Sequence, residues 1–359
     1  MKIGIIGLPM VGKTTLFNLL TNSNLNTHSG KIKTTSAIGL IPDERIDYLS
    51  SLYNPKKTTY ARIEFVDIPA LVKGASKGEG SGNSFLNQVR NVDALIHVIR
   101  TFNNPAMPHV EGEINPLRDF ETINDELLFS DLAVVEKRIE NIKSNKKAMK
   151  HHSHELPVLE KCREILEKEG NIAQLKFTPE EESLVRGYAF FTQKPLIVVL
   201  NMDDQQLKDD NYPGKEEFEN SMAEKEIPIV KVSAAIEAEI NQLDEEDRLL
   251  FMEELGITEP GINKIARATY KRLGLISFFT VGKDEVRAWT VKKGVTAPKA
   301  ARAIHTDIER GFIRAEVVAY DTLRKHGSMK ACKEAGLVRL EGKDYIVQDG
   351  DIISFRFNV

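Results

Sequence analysis

The chain has 359 residues, 41% of them hydrophobic and 28% charged, with a formal net charge of −4. This is the composition of a globular protein with room for two or three domains, and its slight acidity argues against bulk coating of nucleic acid while leaving a local basic patch open. No apolar run reaches membrane-spanning length, and Cys162 and Cys332 stand far apart without partners at metal spacing, so neither a disulfide nor zinc is expected.

The first element is a short apolar strand, Ile3 to Ile6, which breaks at Gly7; from Leu16, Phe17, Leu19 and Leu20 onward the apolar spacing is helical. Between strand and helix, Gly7-Leu8-Pro9-Met10-Val11-Gly12-Lys13-Thr14, followed by Thr15, fits G-x-x-x-x-G-K-[ST] at every fixed position. The chemistry follows from the backbone. Successive N–H groups can curl around phosphate oxygens, the helix N-terminus adds positive potential, Lys13 can reach the β and γ phosphates, and the Thr14 hydroxyl can hold Mg²⁺. With one lysine running directly into this strand and loop, no signal peptide is expected and the protein is read as cytoplasmic.

Thr21 to Leu40 is polar and reads as a loop in which Thr34 or Thr35 could close onto Mg²⁺ when a γ-phosphate is present; an ordinary surface loop is an equal reading. Pro42 to Arg45 opens a helix carrying Ile46, Leu49 and Leu52 on one face. The strand Ile63 to Val66 then ends at Asp67, where a carboxylate beside the P-loop strand orders the Mg²⁺ water shell.

From Ile68 the sequence runs Ile-Pro-Ala-Leu-Val-Lys-Gly-Ala-Ser-Lys-Gly-Glu-Gly-Ser-Gly-Asn to Asn83, and Val92 to Arg100 reads Val-Asp-Ala-Leu-Ile-His-Val-Ile-Arg. Together with the P-loop, these stretches resemble the Obg-like ATPase family (YchF type), whose second switch reads D-I-A-G-L-V-K-G-A-S-K-G-E-G-x-G-N. The resemblance implies a Ras-like nucleotide domain. Leu71 stands where Ras-like GTPases carry the glutamine that orients the attacking water, and leucine cannot orient water. In the family a histidine of the loop H-V-x-G-x-V-D-P is implicated instead; here that loop is His109 to Pro116, so the catalytic role would fall on His109.

The departures from the family cluster on the same site. Met10 replaces a P-loop asparagine associated with a potassium ion, Ala70 replaces the D-x-x-G glycine whose N–H meets the γ-phosphate, and Lys33 aligns with the metal-binding threonine of the first switch. Slow or differently tuned turnover is the expectation.

Between Phe120 and Ser183 the spacing of Leu127, Leu128, Leu132, Val135, Ile139 and Ile142, resumed by Leu156, Leu159, Ile165 and Leu166, predicts two long amphipathic helices in an antiparallel hairpin. Its tip gathers Lys143, Lys146, Lys147, Lys150, His151, His152 and His154, read equally as a solvated helix end or a contact for RNA phosphates.

The strand Leu196 to Leu200 leads into Asn201-Met202-Asp203-Asp204. GTPases carry N-K-x-D here, with the aspartate accepting from guanine and the lysine packed on the ring. Met202 replaces that lysine, and Asp204 stands where the resembled family has glutamate and prefers ATP, so guanine is less excluded than is usual there. Ser233-Ala234-Ala235, after the strand Ile229 to Val232, forms a turn able to reach the base edge.

Beyond Gly274, strands at 275–281, 286–291, 316–319 and 352–357 with a helix over 297–308 make a small module, similar to the TGS domain, a ubiquitin-like β-grasp fold. The expected fold is therefore α/β: a Ras-like P-loop NTPase domain over 1–120 and 184–274, an inserted antiparallel helical hairpin over 121–183, and a C-terminal β-grasp (TGS) domain over 275–359. The expected activity is Mg²⁺-dependent binding and slow hydrolysis of a purine nucleotide, ATP favoured over GTP. The expected partner is the ribosome or another structured RNA, without DNA specificity or a membrane. A nucleotide-binding scaffold with little hydrolysis is the alternative, favoured by Met10, Ala70 and Leu71. A metabolic kinase would need a second substrate pocket and an acidic base, neither of which is legible.

Overall fold

A computed structural model describes residues 1–25, 35–70, 82–144, 149 and 151–358. Thr34, Lys33, Leu71, Lys146, Lys147 and Lys150 thus lie outside the described residues. The chain divides into two compact units, Met1–Ala37 with Glu64–Ile265, and Ile38–Ile63 with Ala266–Val359.

One sheet is built from β1 (Lys2–Ile6), β2 (Thr35–Ile41), β4 (Ala61–Asp67), β5 (Ala94–Arg100), β6 (Leu196–Asn201) and β7 (Ile229–Val232), in the order β2-β4-β1-β5-β6-β7. β1 runs parallel to β4 and β5, and β5, β6 and β7 continue in parallel. A parallel strand covered on both faces is a near-continuous apolar run, and every residue of β5 is buried, its two polar members His97 and Arg100 included. The carboxyl ends of β1, β4 and β6 carry the P-loop, Asp67 and Asn201, the edge at which open parallel sheets bind ligands. Helix α1 (Lys13–Thr21) starts directly from the P-loop.

The hairpin lies in the first unit and differs from the sequence expectation. Its first arm, α4 (Pro116–Ser144), is 29 residues long, but the second, α5 (Leu156–Glu167), has only 12. Pro157 is tolerated only in the first turn of α5, and Glu169 beyond it adopts a left-handed conformation at φ 58°. Val135, Ile139, Val158, Leu159 and Cys162 fill the space between the arms. Asp131, buried on α4, accepts hydrogen bonds from the Phe191 and Thr192 backbone N–H groups at 3.0 and 2.8 Å; burial pushes its carboxyl up to about 6 against those bonds. Two members of the expected basic tip have acidic partners: Lys143 is ion-paired with Glu160 at 2.9 Å, and His152 Nδ1 lies in hydrogen-bond contact with Glu155 at 2.7 Å.

In the second unit β8 (Leu275–Thr280) and β9 (Glu285–Lys292) form an antiparallel hairpin, and β10 (Phe312–Ala319), β11 (Arg339–Glu341) and β12 (Asp351–Phe357) complete an order β11-β10-β12-β8-β9 with β12 parallel to β8. That is the strand order of a β-grasp. The helical stretch over 297–308 is two short helices, Ala297–Ala301 and Thr306–Arg310. The sheet gains a sixth strand at its edge: β3 (Lys57–Thr59) pairs in parallel with β9, and Arg45 on helix α2 (Glu44–Tyr53) bridges Asp43 at 2.8 Å and Asp349 at 2.9 Å. Residues Ile38–Ile63, assigned to the nucleotide domain from sequence, thus pack with the C-terminal unit.

Candidate functional site

The P-loop is shaped by what its glycines leave out. Gly12, with φ 98°, begins α1; a Cβ there would lie 2.4 Å from the Asn201 side-chain nitrogen as well as being in the left-handed region. Met10, at φ 61°, takes the same unusual conformation with its side chain 56% exposed, a place where asparagine is far commoner than methionine. Leu8 and Val11 turn into the core.

Lys13 is 8% exposed, and its Nζ donates to the Gly7 and Leu8 carbonyl oxygens at 3.0 and 2.7 Å. Burial lowers its ammonium to about 8, with the nearby Asp67 carboxylate pulling the other way. The Thr14 hydroxyl donates to Asp67 Oδ2 at 2.8 Å. Burial raises the Asp67 carboxyl, opposed by that hydroxyl and by Lys13. Thr14 and Asp67 therefore present two hard oxygen donors side by side at the start of α1, a donor set that fits Mg²⁺, which takes one or two protein oxygens and keeps its remaining waters.

Across the site Asn201 is buried and uses both ends of its amide. Its Nδ2 donates to Val11 O at 3.0 Å and its Oδ1 accepts from the Ala234 N–H at 3.0 Å, tying the P-loop to the turn after β7. Ser233 is buried; it caps helix Ala234–Ile240 and donates to Asp204 Oδ1 at 3.1 Å, so one oxygen of the exposed Asp204 is already engaged. Met202, 2% exposed, packs with Phe120, Phe218 and Met222.

A cavity of about 940 Å³ opens over these groups. Of the residues expected at the site, Met10, Gly12, Lys13, Thr14, Thr15, Asn201, Met202, Asp204, Ala234 and Ala235 line it, while Gly7, Leu8, Pro9, Val11, Asp67, Ala70 and Ser233 support it from outside or lie apart from its walls. Beside Asp203 and Ala238, its remaining wall is a loop that sequence reasoning passed over, Phe102 to Asn104 and Ala106 to Pro108, with Phe102 the one aromatic ring among the lining residues. Lying just beyond a motif strand was the only sequence signal that loop carried.

His109 does not line the cavity. Its imidazole is buried, with Nε2 2.9 Å from Asp119 Oδ2 and Nδ1 accepting from the Glu111 N–H at 3.2 Å. The Asp119 carboxyl also accepts from Arg118 Nη2 at 2.8 Å, and burial raises it despite both neighbours. His97, a second histidine of the region, is a core residue: it stacks on Phe120 with centroids 5.5 Å apart, and burial, with Lys13, holds it neutral down to about 3.

A parallel sheet with a phosphate-binding loop after β1, and a hydroxyl and carboxylate paired at the metal position, defines a P-loop NTPase of Ras-like fold. A family model described as "50S ribosome-binding GTPase" matches residues 2–127, and a model for the C-terminal part of YchF GTPases, described as "Protein of unknown function (DUF933)", matches residues 275–358. The chain is 46% identical over 363 residues to the ribosome-binding ATPase YchF of Bacillus subtilis, covering 99% of each chain, and 44% identical over 362 residues to that of Escherichia coli O157:H7, covering 100% and 99%. Among solved structures it is similar to the Schizosaccharomyces pombe YchF GTPase, with TM-score 0.87, 34% identity and coverage of 99% and 97%. The chain belongs to the YchF family. Among the described residues no helix is long and apolar enough to cross a membrane.

Proposed function

We propose that this protein hydrolyses a purine nucleoside triphosphate with Mg²⁺, taking ATP in preference to GTP, and that it acts in the cytoplasm on the ribosome. The observation that carries the reading is the Thr14–Asp67 hydrogen bond beside Lys13, under a cavity that also reaches Asn201 and Asp204. Lys13 would exchange its two carbonyl partners for phosphate oxygens, and the N–H groups around Gly12 would hold the same phosphates at the helix N-terminus. Mg²⁺, held by Thr14 and Asp67, would neutralise charge gathering on the β and γ phosphates. Ala235 and Asp204 would meet the base edge. Guanine recognition by an aspartate draws on both carboxylate oxygens while a lysine packs on the ring; Met202 replaces that lysine and Ser233 already takes one acceptor position on Asp204 Oδ1, which supports the preference for ATP.

The relatives are named ribosome-binding ATPases, which supports the ribosome as partner, with its RNA as the chemical target of basic side chains. The basic tip is a weaker candidate for that contact than its composition suggests, since Lys143 is ion-paired with Glu160 and His152 is engaged by Glu155. Phosphate release with MgATP against MgGTP, with and without chelator, tests the catalytic reading. Equal rates for the two nucleotides, or hydrolysis that ignores chelation, would overturn it. The second reading, nucleotide binding with little hydrolysis, is favoured by one observation: His109 is held against Asp119 and outside the cavity walls.

A further inference from the structure

Arg100 ends β5 with its side chain 1% exposed. Its Nε donates to Phe102 O at 2.9 Å, its guanidinium carbon lies 4.6 Å from the Phe102 ring centroid, and its buried Nη1 has no hydrogen-bond partner among the described residues. Burial lowers its pKa. A buried guanidinium with no carboxylate partner among the described residues is costly to the fold, and one backbone carbonyl and one ring face repay only part of that cost. Both partners belong to Phe102, the aromatic residue lining the nucleotide cavity. The neighbouring position is fixed separately: Thr101 donates to Asn201 O at 3.1 Å and accepts at its carbonyl from Gln206 Nε2 at 2.8 Å. The segment leaving β5 is thus braced on one side by Thr101 and on the other by Arg100, which shares a side with Phe102 in the period of two of extended chain.

We propose that Arg100 is a positioning residue for the base: its buried guanidinium fixes the Phe102 backbone and ring as the wall against which the base of the nucleotide stacks. The inference rests on the reading of the cavity as a nucleotide site. The cation polarises the ring face it covers and leaves the opposite face as a rigid platform, so the base gains a surface whose ordering cost is met before binding.

The test uses the full-length protein and compares a non-hydrolysable ATP analogue with inorganic tripolyphosphate, in the wild type, Arg100→Met and Arg100→Lys, alongside thermal unfolding without nucleotide. Arg100→Met is expected to weaken the ATP analogue by about three- to tenfold and to leave tripolyphosphate binding unchanged. Its unfolding temperature should hold or rise, because an under-compensated buried charge has been removed, whereas a merely structural arginine would lower it. Arg100→Lys should recover part of the affinity. If Arg100→Met does not fold, Arg100→Lys is compared alone and in a Phe102→Leu background, where its effect should vanish if it acts through the ring. An unchanged ATP affinity, or equal losses for ATP and tripolyphosphate, would overturn the role of Arg100. A wild type that binds tripolyphosphate as tightly as ATP would overturn the base-binding reading itself, and this inference with it.

Discussion

The state of Lys13 makes nucleotide affinity depend on pH in a calculable way. In the free protein burial lowers its ammonium from 10.5 to about 8. Polyphosphate set against the same ammonium raises that value again, so the complex holds a proton that the free protein has begun to lose. The sign follows: affinity is full and flat below about pH 8 and falls as pH rises through it, by about tenfold per unit, until the pKa of the complex is reached. Titrating a non-hydrolysable ATP analogue from pH 7.5, where its phosphates are already ionised, to pH 9.5 should show a loss of about thirtyfold. Calorimetry at pH 8.5 in two buffers of different ionisation enthalpy should register proton uptake. Lys13→Arg, whose guanidinium does not titrate in this range, should bind with a flat pH profile whatever its absolute affinity. The free protein carries the converse signature. A lysine whose folded pKa lies below its unfolded one costs stability at low pH, and stability should rise between pH 8 and 10.5, by at most about 3 kcal/mol. A wild-type affinity flat to pH 9.5 with no proton uptake would refute the argument and leave Lys13 outside the phosphate site.

Thr14→Ala and Asp67→Asn should each cut MgATP hydrolysis by about a hundredfold or more, a loss of several kcal/mol of charge stabilisation, while nucleotide binding in chelator stays near wild type; steady-state rates against Mg²⁺ concentration check this, and an unaltered Mg²⁺ requirement would reject the assignment. His109→Ala should keep nucleotide affinity and lose about ten- to a thousandfold in single-turnover hydrolysis if the imidazole leaves Asp119 to position water; an equal rate would favour the scaffold reading. Asp204→Ala should weaken GTP by about fivefold or more, the order of one hydrogen bond to a charged group, and leave ATP within about twofold, measured by competition against a fluorescent nucleotide.

What the sequence made legible was local. The P-loop motif, the strand ending at Asp67 and the Asn201–Asp204 run each lie within a few residues of a recognisable strand, and the backbone that connects them fixes their geometry. What escaped was set by distant partners. β3 is only three residues long and reads as loop until it pairs with β9, more than two hundred residues on. β2 was hidden for another reason: Thr35–Ile41 alternates between half-buried and exposed positions for most of its length, and such a strand has no apolar run to announce it. His109 was legible as a candidate only through resemblance, while the residue that holds it, Asp119, sits in the first turn of α4, where an acidic side chain looks like ordinary helix chemistry. Arg100 shows the limit most plainly, because an arginine at the end of an apolar strand reads as its solvated terminus, whereas it is fully buried.

Asn201 changes how the motif after β6 should be understood. Its amide is spent within the protein, on Val11 O and the Ala234 N–H, and its nitrogen occupies the space that a side chain at position 12 would need. The asparagine of this motif and the second glycine of the P-loop are therefore one feature: Gly12 must lack a Cβ because Asn201 braces the loop there. Asn201→Ala would leave two buried backbone groups unpartnered and loosen phosphate and base sites together, so loss of binding in that variant would carry no information about base choice. On the proposed reading that choice would rest on groups whose polar atoms or faces remain available to a ligand: the second carboxylate oxygen of Asp204, the backbone of Ala235, and the ring of Phe102. Of these Asp204 alone would distinguish guanine by charge, and Ser233 already takes one of its acceptor positions, leaving the free ones to any base.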